Sequence, residues 1–313
     1  MRNIAYIGVE EEFFVIDADT KWPVAAEVRD EIISHLANSA FEAELKGCQI
    51  EVRSQLHSTY HSLLVEILAL RRRLAKVCER FRALPLSVGC LPMFSSATAS
   101  SGTKRAIGIH EELGSVATSL TISGLHFHIS YTTDDLRDQA FTYLASLSPL
   151  LLALTASSPV FNGIDRQLAS YRSSYFRQVP RSGIYLPTPG VSFVEDVQIL
   201  VDNGQIDDGS YVWTDVRTNP AHGTTEVRAC DASVDARLSA AVPLFAAHAV
   251  DYWIDRPTEF DGLFYRSPLP VMQNKWNAEK AGVSAHFLTK LGMMSAAELI
   301  QTITCGHEND EEF

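Results

Sequence analysis

The run "IGVEEEFFVID" at 7–17 sets Glu10, Glu11 and Glu12 inside a stretch that otherwise reads as a buried β-strand. Successive side chains on a strand point to opposite faces, so Glu10 and Glu12 share one face and Glu11 takes the other. Carboxylates held this close repel one another and lose solvation when buried, so the chain must bring counter-charge to them. A sheet with a polar, functional face accommodates that requirement; a plain hydrophobic sandwich does not.

The same alternation pairs His126 with His128 in "SGLHFHIS", Glu226 with Arg228 in "TTEVRACD", and Glu51 with Arg53 in "QIEVRS". Each pair taken singly has an ordinary explanation. A glutamate pair on an edge strand is usually solvated, an HxH is more often structural, and an alternating Glu/Arg pair is commonly a cross-strand salt bridge. Their joint occurrence on four strands points to a site.

Strand-like alternation recurs at 4–9, 12–17, 45–54, 86–91, 121–131 and 211–217 with 223–229. Helical spacing predicts helices over about Ser58–Arg82, Leu136–Ser157 and Val234–Ile254, the last with Pro243 as a kink. In the first, Leu63, Ile67, Leu70, Leu74, Val77 and Phe81 line one face, and the "RRR" at 71–73 lies largely off it. Long helices between strands that carry polar residues predict an α+β fold on an antiparallel sheet. No repeat or long linker divides the chain, so a single domain over 1–313 is expected, with "GHENDEEF" at 306–313 as a solvated acidic tail. The Ser-, Thr-, Gly- and Pro-rich stretches at 92–105 and 178–190 read as loops of the kind used as lids or binding segments.

Composition narrows the function classes. A net charge of −12 argues against general nucleic-acid binding, and no apolar run approaches the roughly 20 residues of a membrane helix. The beginning of the chain carries no apolar segment of the secretory type, which makes a cytoplasmic protein the expectation. Five cysteines with no CxxC spacing give neither a disulfide framework nor a zinc knuckle; most are expected to be small core residues.

Hard divalent cations prefer oxygen ligands and commonly bridge carboxylates to nucleotide phosphates. Glu10, Glu12, Glu51 and Glu226 with one histidine would suit two or three Mg²⁺ or Mn²⁺ ions bridged by a nucleotide. There is no GxxxxGK[ST] and no GxGxxG after a strand, so phosphate would have to meet arginines, for which Arg172, Arg177, Arg181, Arg217 and Arg228 are candidates. Other readings of these residues are a metal-dependent hydrolase with His126 and His128 on a zinc-type ion, a phosphotransferase, and a non-catalytic small-molecule sensor. Several glutamates against one HxH favour hard cations and nucleotide over zinc.

The ordered set "GVEEEF", "EAELKGCQIEVRS", "SGLHFHIS", "YRSSYFRQVPRSG", "VWTDVRTNPAHGTTEVRACDA" and "QNKWNAEKAG" resembles the carboxylate-amine ligase branch of glutamate–cysteine ligase family 2, from about residue 4 to about residue 281. The resemblance implies a glutamine synthetase-like curved antiparallel sheet with helices packed on the outer face, holding ATP, Mg²⁺ (or Mn²⁺) and an amino acid. It also implies a metal set of Glu10, Glu12, Glu44, Glu51, His126 and Glu226. Arg228 and Arg172 would be catalytic, and Arg177 and Arg217 would join Arg228 on the nucleotide or substrate. The implied reaction is ATP-dependent amide formation through an acyl phosphate. Its partners would be a small-molecule carboxylate, by default glutamate, and an amine such as cysteine, with a homo-oligomer possible on the same ground.

Overall fold

The computed structural model describes residues 3–93, 100–187, 191–220 and 222–305. The expected acidic tail at 306–313 lies outside them, as do 94–99 and 188–190 of the two expected loops.

The chain opens on β1 (Ile4–Asp17), one long strand where the alternation predicts two. It stays continuous because partners flank it along its whole length: β5 (Gly124–Tyr131) pairs with Ile4–Glu11 and β4 (Ala83–Leu86) with Phe14–Asp17 on one side, while β3 (Gln49–Arg53) pairs with Glu10–Phe14 on the opposite side. Between them come α1 (Ala26–Leu36), β2 (Phe41–Ala43), α2 (Tyr60–Arg80), α3 (Lys104–Leu113) and α4 (Ser115–Ser119). The long helix α5 (Asp134–Thr155) leads to the hairpin of β6 (Val160–Phe161) and β7 (Ile164–Asp165), then to α6 (Tyr171–Phe176), β8 (Ser182–Gly183) and α7 (Phe193–Asp202). β9 (Trp213–Thr214), β10 (Val216–Asn219) and β11 (Thr224–Asp231) return to the sheet, and α8 (Ala236–Asp255), α9 (Pro257–Leu263), α10 (Pro268–Ala281), β12 (His286–Thr289), β13 (Gly292–Ser295) and α11 (Ala296–Cys305) follow.

The main sheet runs β10–β11–β5–β1–β3–β2, with β4 also on β1, and every pairing in it is antiparallel. Its apolar face carries Ile7, Val9, Leu125, Phe127 and Ile129 into a core shared with α5 and α8. Leu144, Leu147, Leu150 and Leu151 of α5 are fully buried there, each contributing about 1.5–3 kcal/mol of transfer free energy. Helices on one face and carboxylates on the other are the α+β arrangement the sequence predicts. α2 begins where Thr59 accepts a hydrogen bond from the Ser62 amide, a cap that contributes about 1 kcal/mol.

Three local expectations are corrected. The strand expected at 45–54 is shortened to β3 (Gln49–Arg53), because the residues around Lys46 form the turn that joins it to β2; the buried Lys46 ammonium donates to the carbonyls of Ala117 and Thr118 and anchors that turn. The strand expected at 86–91 sits instead at Ala83–Leu86, where β1 offers a free edge. Arg71 is not left outside: it crosses to Glu11 on the helix side of the sheet and supplies the counter-charge that residue needs. α8 contains Pro243 within a single helical span. Cys48, Cys78, Cys90 and Cys230 are buried and Cys305 is exposed. Among the described residues no helix is long and apolar enough to cross a membrane.

Candidate functional site: an acidic cavity on the open face of the sheet

Strand pairing sets the site out in rows. Glu10 stands between Arg53 of β3 and His126 of β5; Glu12 stands opposite Glu51, which in turn faces Glu42 of β2. One row away, His128 faces Glu226 of β11 and Glu226 faces Arg217 of β10. The result is an open cavity of about 400 Å³ whose lining includes every member of the expected metal set: Glu10, Glu12, Glu44, Glu51, His126 and Glu226.

The tightest cluster differs from that set in one member. Ligand atoms of Glu10, His128 and Glu226 lie within 4.8 Å of one another, and His128 Nε2 is 3.4 Å from Glu10 Oε1. His126 Nδ1 lies 3.8 Å from Glu10 Oε2 and 3.7 Å from Glu12 Oε1. The HxH alternation places both imidazoles on the cavity face, so His128 is visible in the sequence as a candidate. Arg105, which also lines the cavity, has no such signal, because it follows a loop rather than a strand.

Charge is distributed unevenly across the cavity. Burial pushes the Glu226 carboxyl up, but the Arg228 and Arg217 guanidiniums outweigh it and hold the group down at about 2. Arg217 reaches Glu226 Oε2 through Nε at 3.0 Å and Nη2 at 2.6 Å, and Arg228 pairs with Oε1. Burial likewise raises Glu10, yet the imidazoles of His126 and His128 hold it well below the ordinary carboxyl range. At the β3 side the balance reverses. Burial and the Glu44 charge push Glu12 up to about 7, burial and the charges of Glu10, Glu44 and Glu12 push Glu51 well up, and burial raises Glu44. Burial and the Arg228 charge hold His126 down at about 4, which leaves a neutral imidazole able to act as a ligand.

This donor set fits divalent cations. Three carboxyls are under-neutralised on the β3 side, oxygen donors dominate, and the neutral His126 imidazole completes them. Among the described residues, the buried Nε atoms of Arg172 and Arg228 have no acceptor, so both guanidiniums retain capacity for an anionic group.

The arginines separate into different roles. Arg228 and Arg217 line the cavity, while Arg172 lies deeper, with Nη2 3.4 Å from His126 Nε2 and 3.3 Å from the Arg228 carbonyl. Arg177 is elsewhere: its Nη1 donates to both oxygens of Glu279 at 2.9 Å, and it is not among the cavity's lining residues. Its expected contact with nucleotide is therefore replaced by an ion pair with the "NAEKAG" segment of α10.

Two local features hold Arg172 in place. A bulge in β11 sets both Arg228 and Ala229 opposite His126, freeing their carbonyls, and both accept from Arg172. Asp231 accepts from Ser158 Oγ at 2.7 Å and Ser170 Oγ at 2.9 Å, and Ser158 Oγ accepts from the Arg172 amide at 3.0 Å. Gly124 completes the arrangement by having no side chain. A Cβ there would sit 2.4 Å from Arg172 Nη2 and 2.5 Å from His126 Nε2, while its amide donates to Glu12 Oε2 at 2.6 Å.

The fold and site together define an α+β protein with a carboxylate- and arginine-lined cavity on the open face of its antiparallel sheet. Two solved structures share the fold at low sequence identity. Glutamate–cysteine ligase from Francisella tularensis in complex with AMP superposes with a TM-score of 0.62 at 14% identity, covering 97% of this chain and 78% of that one. A bifunctional glutathione synthetase from Pasteurella multocida gives 0.59 at 15% identity, covering 90% of this chain and 42% of that one. Residues 6–309 match the family model for glutamate-cysteine ligase family 2. A protein of Rubrobacter xylanophilus with the provisional name glutamate–cysteine ligase 2-3 is 34% identical over 301 residues, 93% of this chain and 79% of its own. One from Jannaschia sp., provisionally named glutamate–cysteine ligase 2, is 31% identical over 287 residues, 89% and 74% of the two chains. The chain belongs to glutamate-cysteine ligase family 2 and is an ATP-dependent ligase that forms C–N bonds.

Proposed function

We propose that the cavity joins the side-chain carboxylate of glutamate to an amine through an acyl phosphate, with ATP as phosphoryl donor, and that the chain forms one catalytic domain. The observation that carries this reading is the division of charge: under-neutralised Glu12, Glu44 and Glu51 on one side, and Glu226 paired with Arg217 and Arg228 on the other. Cysteine is the amine that the names of the relatives supply.

Glu10, Glu12, Glu44, Glu51, Glu226 and the imidazoles would hold Mg²⁺ or Mn²⁺. When bound, such ions neutralise phosphate charge and align it for transfer. The arginines act on the same charge from the protein side. Arg228 offers its unpartnered Nε, and Arg172, held by the Arg228 and Ala229 carbonyls, needs little rearrangement to meet an oxyanion. The glutamate oxygen attacks the γ-phosphorus and ADP leaves. The neutral amine then attacks the acyl carbon, the C–N bond forms, the C–O bond to phosphate breaks, and the amine gives up one proton.

The test is product analysis with Mg-ATP, glutamate and single amines. Expected is ADP release that requires both acid and amine, with a product of their summed mass less water. ADP release without an amine, accompanied by a stable phosphorylated acid, would identify a phosphotransferase instead.

A further inference from the structure

Behind the acidic cavity lies a second, smaller space of about 70 Å³ with a different lining. Beyond the residues it shares with the cavity, its walls are Leu113 of α3, Leu120 and Ile122 before β5, Phe176 of α6, Val179, and Trp213 of β9, with two polar side chains, Arg172 and Gln49, the latter's amide already bonded to Lys46, Ile122 and Ser123. Ile109, Leu120, Val179 and Trp213 belong to a hydrophobic cluster distinct from the cores beneath the sheet. The two spaces share Glu12, Glu44, Leu45, Arg105, Ile109, His126 and Arg228, so the recess opens at the acidic site.

We propose that this recess is the specificity pocket for the amine, and that it selects a primary amine or α-amino acid with an uncharged branched-aliphatic or aromatic side chain. The inference rests on the ligase reading above and adds the class of amine. A water needs roughly 10–15 Å³ of such space, so the recess holds about five to seven waters' worth, matching a group of about four to seven carbons. A cysteine side chain leaves most of it unfilled. Apolar walls favour a ligand that removes them from water and penalise a charged or hydroxyl-bearing one. At the mouth, Arg105 is the guanidinium placed to meet the α-carboxylate of an amino acid, next to the carboxylates that would hold the metal ions. Trp213 is held rigid as a wall by the Arg181 guanidinium over its ring.

Val179 is the position to test, because it lines the recess and is not among the residues of the acidic cavity. With Mg-ATP and glutamate, kcat/KM is measured for alanine, cysteine, norvaline, leucine, phenylalanine, serine, lysine and aspartate. Calorimetry of the same amines reads binding without turnover. The full chain is expected to prefer leucine or phenylalanine over serine, lysine and aspartate by at least about tenfold, the discrimination one or more methylenes give in an apolar pocket. Val179→Leu should move the optimum to shorter side chains, Val179→Ala to longer ones, and neither should move the KM for ATP. Equal use of all amines, preference for a charged one, or an effect of both variants on ATP alone would overturn the assignment, the last by placing the adenine there. Amide product without discrimination removes the recess and leaves the ligase reading intact. Selective binding of leucine with no amide from any acid removes the ligase reading and keeps the recess.

Discussion

Arg71 and Glu11 meet on the helix side of the sheet, with Nε 3.1 Å from Oε2 and Nη2 2.5 Å from Oε1. The middle carboxylate of the glutamate run is therefore neutralised from α2, while its neighbours Glu10 and Glu12 face the cavity on the other side. Arg71 also donates to the Ser233 carbonyl at 2.7 Å and to Ser239 Oγ at 3.1 Å, so one guanidinium ties β1 to the start of α8.

Arg71→Met should destabilise the protein by about 3–5 kcal/mol, because it leaves the buried Glu11 charge uncompensated. Urea unfolding measures this, and Glu11→Gln in the same chain should recover a large part of the loss. Recovery of nothing would mean that Arg71 acts through its contacts with α8 rather than through Glu11.

Gly124→Ala should leave the fold intact and lower kcat/KM by about 10²-fold, since the added Cβ displaces Arg172 and His126 from the positions described above. Circular dichroism checks the fold and steady-state kinetics the rate. An unchanged rate would show that neither side chain's placement matters to turnover.

The raised carboxyls make stability depend on pH in a definite direction. Glu12 titrates at about 7 in the folded chain against an ordinary 4.5, so between those values the folded state binds more protons than the unfolded state. Its contribution is full below the unfolded value and is lost as pH rises through about 7, a change of about 3 kcal/mol; His126, held at about 4 against an ordinary 6.5, works in the opposite direction by a similar amount, and Glu51 and Glu44, both raised, tip the sum toward loss at higher pH. The metal-free protein should therefore melt at a lower temperature near pH 8 than near pH 5. Mg²⁺ or Mn²⁺ should raise Tm more at the higher pH, because binding must displace these protons. A melting temperature that rises steadily with pH without metal would contradict the assignment of these carboxyls.

Lys275 donates to both Asp215 oxygens, at 2.6 and 2.7 Å, and both residues are buried. The Asp215 carbonyl accepts from the Arg228 amide, so this pair supports the strand carrying the cavity arginine. Lys275→Met should cost about 3–5 kcal/mol by leaving Asp215 unpaired, and Asp215→Asn together with Lys275→Met should cost less than Lys275→Met alone. Thermal melts of the three proteins decide it.

The rows of the site are legible in the sequence because a strand has a period of two: Glu10 with Glu12, His126 with His128 and Glu51 with Arg53 can each be assigned a shared face from their spacing. What alternation does not supply is which strands adjoin and which distant residue answers a given charge. Arg71 lies 60 residues from Glu11, and helical spacing alone leaves it off the packed face. Arg177 sits in the same motif as Arg172, yet one turn of α6 and the Glu279 carboxylate send it away from the cavity. The bulge at Arg228 and Ala229 has no local signal, since it arises from the register between β11 and β5. The tightest acid–histidine cluster includes His128 for a related reason: its closeness to Glu226 depends on a cross-strand pairing that residue types do not reveal.

Transfer of oxygen from acid to phosphate tests the central claim most directly. Glutamate labelled with oxygen-18 in its side-chain carboxylate is incubated with the protein, Mg-ATP and an accepted amine, and the inorganic phosphate is analysed by mass spectrometry. An acyl phosphate intermediate delivers one labelled oxygen to each phosphate released with amide formation. Unlabelled phosphate, released at the same rate as ADP, would mean that ATP is cleaved by water and that the carboxylate is never activated.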